Sequence, residues 1–173
     1  MSTELVPLRV VSPLDGKVVA EIPRTPPAEM ESRIRAARAA QPAWAALPIA
    51  ERVAVLKRCR QAFHARVDKL VEVVRAETGK PLPEILGGEI IANLELFDFY
   101  IRHAAKLLAA ERVPINPINY PGKRGVIELR PLGVVGVLSS WNYPVALPMR
   151  AIVPALAAGN AVAFKPSVDA SLI

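Results

Sequence analysis

Apolar positions recur at three- and four-residue steps as far as Ala110, and short unbroken apolar runs take over beyond Pro114. Before the first helix, Arg9–Ser12 and Lys17–Ile22 are β-like runs, and Pro13–Gly16 supplies the turn of a hairpin spanning Leu8 to Pro23. Thr25 is the expected N-cap of the helix that follows, with Pro26 at its first position and Glu29 in its first turn. Met30, Ile34 and Ala37 share one face, and the helix should end before Pro42 because a proline disfavours helical backbone at the residue preceding it. Trp44 and Leu47 then fall in a short connection, and Pro48 opens a second helix. Val53, Leu56, Cys59, Phe63, Val67, Leu70 and Val74 form an amphipathic series whose length predicts a break near Arg66–Asp68. Gly79, followed by Lys80 and Pro81, is a strong stop. A third helical stretch runs from about Pro83 to Ala110, with Ile90, Leu94, Phe97 and Ile101 on one face. Gly87 and Gly88 inside it cost roughly 1 kcal/mol each relative to alanine, and their missing side chains leave room for another helix to approach.

The pattern then changes. A loop rich in proline and asparagine, Pro114–Gly122, leads to a strand at Gly125–Arg130, and Pro131–Gly133 turns the chain into a second strand. Val134–Leu138 is short and nearly all apolar, as for a strand buried on both faces. Ser139–Tyr143 is a loop, Pro144–Ala158 an apolar helix closed by Gly159, and Ala161–Phe164 another buried strand followed by a loop at Lys165–Ser167. This is one βαβ unit of the length a parallel, doubly wound sheet requires. The fold class is therefore α/β: N-terminal helices plus a first βαβ unit. A two-stranded parallel sheet cannot cover its own faces, so the fold is expected to be incomplete as given.

Composition narrows the picture. Among 173 residues, 52% are hydrophobic and 22% charged, which is globular and not disordered. One cysteine, Cys59, excludes an internal disulfide framework and favours a reducing, cytoplasmic setting. Met1–Arg9 has no apolar core of a leader peptide. Pro144–Phe164 is the segment most like a membrane span, but Arg150, Pro148, Pro154 and Gly159 interrupt it, so no membrane association is expected. The net charge of +6 raises a nucleic-acid hypothesis. Arg33, Arg35, Arg38, Lys57, Arg58, Arg60, Arg66 and Lys69 are nevertheless interleaved with acids and lack aromatic platforms, the pattern of a solvated helical surface with no nucleic-acid partner.

Ligands of open α/β sheets bind beyond the carboxyl ends of the strands, where this chain carries Ser139-Ser140-Trp141-Asn142-Tyr143-Pro144 and Lys165-Pro166-Ser167-Val168. The first is not the G-x-G-x-x-G fingerprint of dinucleotide sites. The runs Pro131–Pro144 (PLGVVGVLSSWNYP) and Pro154–Ser167 (PALAAGNAVAFKPS), with Glu77–Pro81 (ETGKP) and Ala40–Trp44 (AQPAW) upstream, resemble the aldehyde dehydrogenase superfamily in order and spacing. The likeness covers nearly the whole chain and the N-terminal part of a family member. It implies that residues 1–173 are the N-terminal part of a doubly wound NAD(P)-binding domain, that 122–133 forms part of an oligomerisation β-arm, and that the complete protein is a homo-oligomer.

The resemblance also implies roles. Asn142 is the oxyanion-hole donor, and Ser139, Ser140, Trp141, Lys165, Ser167 and Val168 belong to the cofactor site. Tyr143 and Leu147 lie at the substrate entrance. From the residues alone, Asn142 equally suits capping the helix at Pro144, Trp141 suits a core aromatic, and Lys165 a surface lysine. The family reaction oxidises an aldehyde to an acid: a thiolate attacks, hydride passes to nicotinamide, and water hydrolyses the thioester. The family's nucleophilic cysteine and general-base glutamate lie beyond residue 173, so the isolated chain is expected to show no turnover. Cys59, mid-helix among apolar residues, is expected to be neutral core packing. His64 and His103 have no partner at metal-ligand spacing, and no metal is expected.

One departure concerns the cofactor. Where NAD-preferring members often carry a glutamate that binds the ribose 2′-hydroxyl, this chain has Val168, which accepts no hydrogen bond and does not repel a 2′-phosphate. NADP or dual use follows, with Lys165 and Ser167 facing the phosphate and Asp169 partly restoring an acidic contact. Phe97–Tyr100, His103–Lys106 and Trp141–Pro144 look most like succinate-semialdehyde dehydrogenases, with aromatic aldehydes such as benzaldehyde as the other substrate class. Two readings of different class stand beside the enzyme: a non-catalytic remnant that associates with a full-length relative, and a basic helical nucleic-acid binder.

Overall fold

The computed structural model describes residues 6–173. The expectation of no leader at the N-terminus therefore falls largely outside the described residues. The hairpin forms as its turn chemistry predicts: β1 (Leu8–Val11) pairs antiparallel with β2 (Val18–Ile22), with an irregularity between Val10 and Val11. The Ser12 amide donates to the Lys17 carbonyl at 2.8 Å, and Gly16 takes a positive φ of 71° to close the turn.

The first helix departs from expectation at both ends. α1 spans Pro27–Ala46, with Pro26 and not Thr25 at the N-cap and no side-chain capping bond. Consecutive prolines remove amide donors and preset φ, so little is left for a side-chain cap to satisfy. The helix also runs through Pro42, so Trp44 is helical. The hydrogen bond lost at the proline is offset by anchors on the last part of the chain. Gln41 Nε2 donates to the Gly159 carbonyl at 2.9 Å and Trp44 Nε1 to the Leu156 carbonyl at 3.0 Å. Arg52 adds bonds from Nε to Ala157 O and from Nη1 to Ala45 O, both 3.1 Å. Met30 and Ile34 remain exposed, and no residue of α1 is buried.

α2 (Ile49–His64) and α3 (Val67–Thr78) break at Ala65–Arg66, and Gly79 stops α3 with φ 71°. The third helical stretch is not uniform. A single turn, α4 (Leu82–Glu84), leads into a π-helical segment (Ile85–Ile91) and then α5 (Ala92–Leu107). Two apolar clusters hold the helices together. Leu56, Phe97, Ala104, Val153 and Ala157 make one, and Val74, Ile85, Ile90 and Val145 the other. Cys59 is exposed, contrary to the expectation of core packing. At 100° per residue the face set by Leu56 turns towards position 60, not 59, and Arg60 meets Asp98 of α5 there at 2.8 Å. Arg33, Arg35 and Lys69 pair with Glu29, Glu31 and Glu72 on their own helices.

β3 (Glu111–Val113) pairs antiparallel with β4 (Gly125–Ile127) in a separate ribbon. β4 is shorter than the expected Gly125–Arg130, and β3 was hidden by its charged Glu111-Arg112. β5 (Val134–Leu138) and β6 (Ala161–Lys165) are parallel, in register from Val134↔Ala161 to Leu138↔Lys165, with α6 (Ala146–Ala157) as the crossover. The βαβ unit is as expected, but burial of β5 on both faces is not. Val137 is buried while Leu138 is exposed, because this sheet has only two strands. Asn160 locks the unit, accepting the Gly133 amide at 3.0 Å and donating to Ala155 O at 3.2 Å. Among the described residues no helix is long and apolar enough to cross a membrane.

Candidate functional site

The loops that follow β5 and β6 lie side by side, and the Ser139 amide donates to the Lys165 carbonyl at 3.1 Å. Beyond them opens a cleft of about 730 Å³ bringing together Trp141, Asn142, Tyr143 and Val168. Asp169 lines the same cleft, as do Arg9 and Val11 of the N-terminal hairpin and Glu77 and Lys80 of the helical layer. Ser139, Ser140, Lys165, Ser167 and Leu147 are not among its lining residues. Lys165 is exposed at the end of β6, and Leu147 is exposed on the first turn of α6. Ser167 is buried, and its Oγ accepts the Asp169 amide at 3.3 Å. Trp141 is 61% exposed, so within the described residues it is not a core aromatic.

Asn142 does not cap α6. Its Oδ1 accepts the Ser140 hydroxyl at 2.8 Å, and among the described residues no acceptor engages its Nδ2, so the amide presents a free donor. The first amides of α6 go elsewhere: Val145 and Ala146 donate to Glu89 Oε2 at 3.1 and 2.8 Å. A carboxylate suits this place, where orphan amides and the helix dipole both favour negative charge. Glu89 is fully buried, and its Oε1 accepts Lys80 Nζ at 3.1 Å. Lys80 also reaches Glu84 at 3.4 Å and stands 3.6 Å from the centroid of the Tyr143 ring. Gly88 makes room for that ring: a Cβ there would meet Tyr143 Cε1 at 2.8 Å. The close approach anticipated at the glycine pair is thus made by a side chain at Gly88, not by a helix.

Sequence reasoning missed Glu89 and Lys80. The available signal was an acid inside the apolar run Ile85–Ile91, where a charge must be paired to be tolerated. It also missed Glu77, which is buried and accepts the Ser171 and Leu172 amides at 2.6 and 2.8 Å on Oε1. Its Oε2 is buried without a partner among the described residues. Burial pushes its carboxyl above the ordinary value, against the lowering effect of the Leu172 and Ser171 amides.

The arrangement fits a dinucleotide. It offers an exposed indole, a lysine at the strand end and two loops beyond the carboxyl ends of parallel strands. Among the described residues no group of three or more His, Cys, Asp or Glu could hold a metal ion.

A βαβ unit with such loops, under a helical layer, defines an α/β protein. The chain belongs to the aldehyde dehydrogenase family, whose sequence model matches residues 2–173. It is 39% identical to a 4,4'-diapolycopene aldehyde oxidase of Methylomonas, over 92% of this chain and 30% of that protein. Among solved structures it is similar to aldehyde dehydrogenase 21 from Physcomitrella patens in complex with the reaction product succinate. That likeness has a TM-score of 0.89 and 26% identity, covering 98% of this chain and 35% of the other. It is likewise similar to a NAD-dependent benzaldehyde dehydrogenase from Corynebacterium glutamicum, with a TM-score of 0.85 and 31% identity over 94% and 34% of the two chains. The chain thus spans about a third of the length of the relatives it matches.

Proposed function

We propose that this chain serves an NAD(P)-dependent aldehyde dehydrogenase that oxidises an aldehyde to a carboxylic acid, and that Asn142 donates to the developing oxyanion. The observation that carries this reading is the amide itself: Oδ1 is held by Ser140, and Nδ2 is free beyond the carboxyl end of β5. A thiolate adding to an aldehyde leaves a negative oxygen, and a preorganised donor lowers its energy without reorganisation. The thiol and the general base come from residues beyond 173, so residues 1–173 alone turn nothing over. Ser139, Ser140, Trp141, Lys165, Ser167 and Val168 form this chain's share of the cofactor site. A bound nicotinamide supplies the hydride acceptor. Tyr143 and Leu147 flank the substrate entrance. In a full-length protein, Asn142→Ala should lower kcat by about 100- to 1000-fold. Unchanged turnover would refute the assignment.

Residues 1–173 are read as the N-terminal part of the cofactor-binding domain, with 122–133 in an arm that joins subunits of a homo-oligomer. Exposed Val126, Ile127 and Leu129 on and beside β4 support that arm. A lone cysteine supports a cytoplasmic setting. Succinate semialdehyde is the proposed substrate, with support from the succinate-bound neighbour; an aromatic aldehyde is the second reading, supported by the benzaldehyde dehydrogenase. For the cofactor we favour NADP or dual use, since Val168 offers no acceptor to a ribose hydroxyl. Val168→Glu should shift the kcat/KM ratio towards NAD, and an unchanged ratio would sink the idea.

A further inference from the structure

The first turn of α6 has no local cap. Pro144 carries no amide hydrogen, and Asn142 is engaged by Ser140. The acceptor for Val145 and Ala146 arrives from fifty-six residues upstream, on the π-helical segment. A π-helical turn holds an extra residue and is frequent at functional sites. Here it carries Gly88, beside the Tyr143 ring, and Glu89, beneath the amides. Asn93 Nδ2 donates to the Glu89 carbonyl, fixing the backbone that bears the carboxylate. Lys80 completes the arrangement by pairing with Glu89 and resting on the Tyr143 ring. The segment immediately after Asn142 is therefore held at two amides and one aromatic ring, by groups that are almost entirely withdrawn from solvent.

Such an investment is not needed to start a helix, which an exposed serine or aspartate does at much lower desolvation cost. It does limit how far the Asn142 amide can wander. Displacement of a reacting or stabilising group by about 1 Å can cost on the order of 100-fold in rate. We propose that Glu89, with Lys80 as its counter-ion, is a positioning residue that fixes the oxyanion donor Asn142 through the α6 N-terminus and the Tyr143 ring. This rests on the reading of Asn142 given above.

The test uses the full-length protein. Glu89→Gln keeps the shape and one acceptor oxygen but removes the charge that pairs with Lys80. A Lys80→Gln/Glu89→Gln double variant restores neutrality should the single variant fold poorly. Hydrogen exchange of 139–146 should rise by about ten-fold in either variant, as for loss of a charged hydrogen bond, while α2 and α3 keep wild-type rates. Wild-type protection of 139–146 would overturn the proposal. In kinetics, Glu89→Gln should lower kcat by about ten-fold, with KM for NAD(P) unchanged. In an Asn142→Ala background it should cost less than about two-fold, since residues acting as a unit are non-additive. Equal losses in both backgrounds would mean that Glu89 acts elsewhere and would also overturn it. If Asn142→Ala leaves turnover intact, the oxyanion assignment fails by itself. The exchange result then still decides whether Glu89 holds the loop.

Discussion

Alanine at Gly87 and alanine at Gly88 are expected to move stability in opposite directions. Both positions lie in the π-helical segment Ile85–Ile91, and neither has a positive φ. Replacing glycine with alanine inside a helix normally stabilises by about 0.5–1 kcal/mol, because the unfolded chain loses freedom. A Cβ on Gly87 meets nothing within 4 Å, so that gain should appear in full. A Cβ on Gly88 would lie 2.8 Å from Tyr143 Cε1, inside contact distance. The ring cannot simply swing away, because Lys80 stands over it at 3.6 Å and the Val145 and Ala146 amides just beyond it are tied to Glu89. Overpacking of this kind costs about 1–3 kcal/mol. Against the same intrinsic gain, the net effect is a loss of up to about 2.5 kcal/mol. Chemical denaturation of the full-length single variants, followed by a probe of this region, reads both signs. A stabilised Gly88→Ala variant would refute the argument that the Tyr143 ring is fixed.

Leu56 is almost completely buried against Phe97, Ala104 and Val153, so Leu56→Ala should destabilise by about 2–5 kcal/mol in the same titration. Trp44→Phe should cost about 1 kcal/mol, because it leaves the Leu156 carbonyl without its 3.0 Å donor at a helix interrupted by Pro42. Glu77 is a carboxyl raised by burial, so the native state keeps its proton to higher pH than the unfolded chain, which titrates near 4.5. Its stabilising contribution is full below that value and is lost as pH rises through the native pKa. Stability of Glu77→Gln should therefore fall less steeply than wild type as pH rises above 4.5, and an identical slope would contradict it.

Much of the scaffold was legible because it follows periodicity. The break between α2 and α3, the stop at Gly79 and the βαβ unit all lie where apolar spacing and glycine placed them. The failures share a different cause. Pro42 was read by its local effect, whereas Gln41 and Trp44 bond to carbonyls more than a hundred residues later and keep the helix going. Cys59 was assigned to the core by a three-residue step that, on a real helix, turns it away from α5 and brings Arg60 in. β3 was invisible because its pairing with β4 is made by the backbone, which charged side chains do not prevent.

The candidate site shows the same limit more sharply. The loops of Trp141, Asn142 and Val168 could be placed beyond strand ends by pattern, the residues themselves were named through the family resemblance, and the cleft brings them together. What orients those loops could not be read from the loops themselves. Local logic gave the start of α6 to Asn142, the nearest good capping residue. The structure gives it to Glu89, and this leaves the Asn142 Oδ1 to the Ser140 hydroxyl. An N-cap accepts through its side-chain oxygen, so capping would not have consumed the Nδ2 donors of Asn142; what the distant cap spares is Oδ1, whose bond from Ser140 orients the amide. The unusual elements nearby fit that single arrangement. The π-helical turn sets the carboxylate beneath the amides, Gly88 clears space for the ring, and Lys80 balances the buried charge. Each would count as a local fault in a helix judged by propensity alone. Together they hold the 139–144 loop from outside it, through groups that the loop's own sequence does not contain.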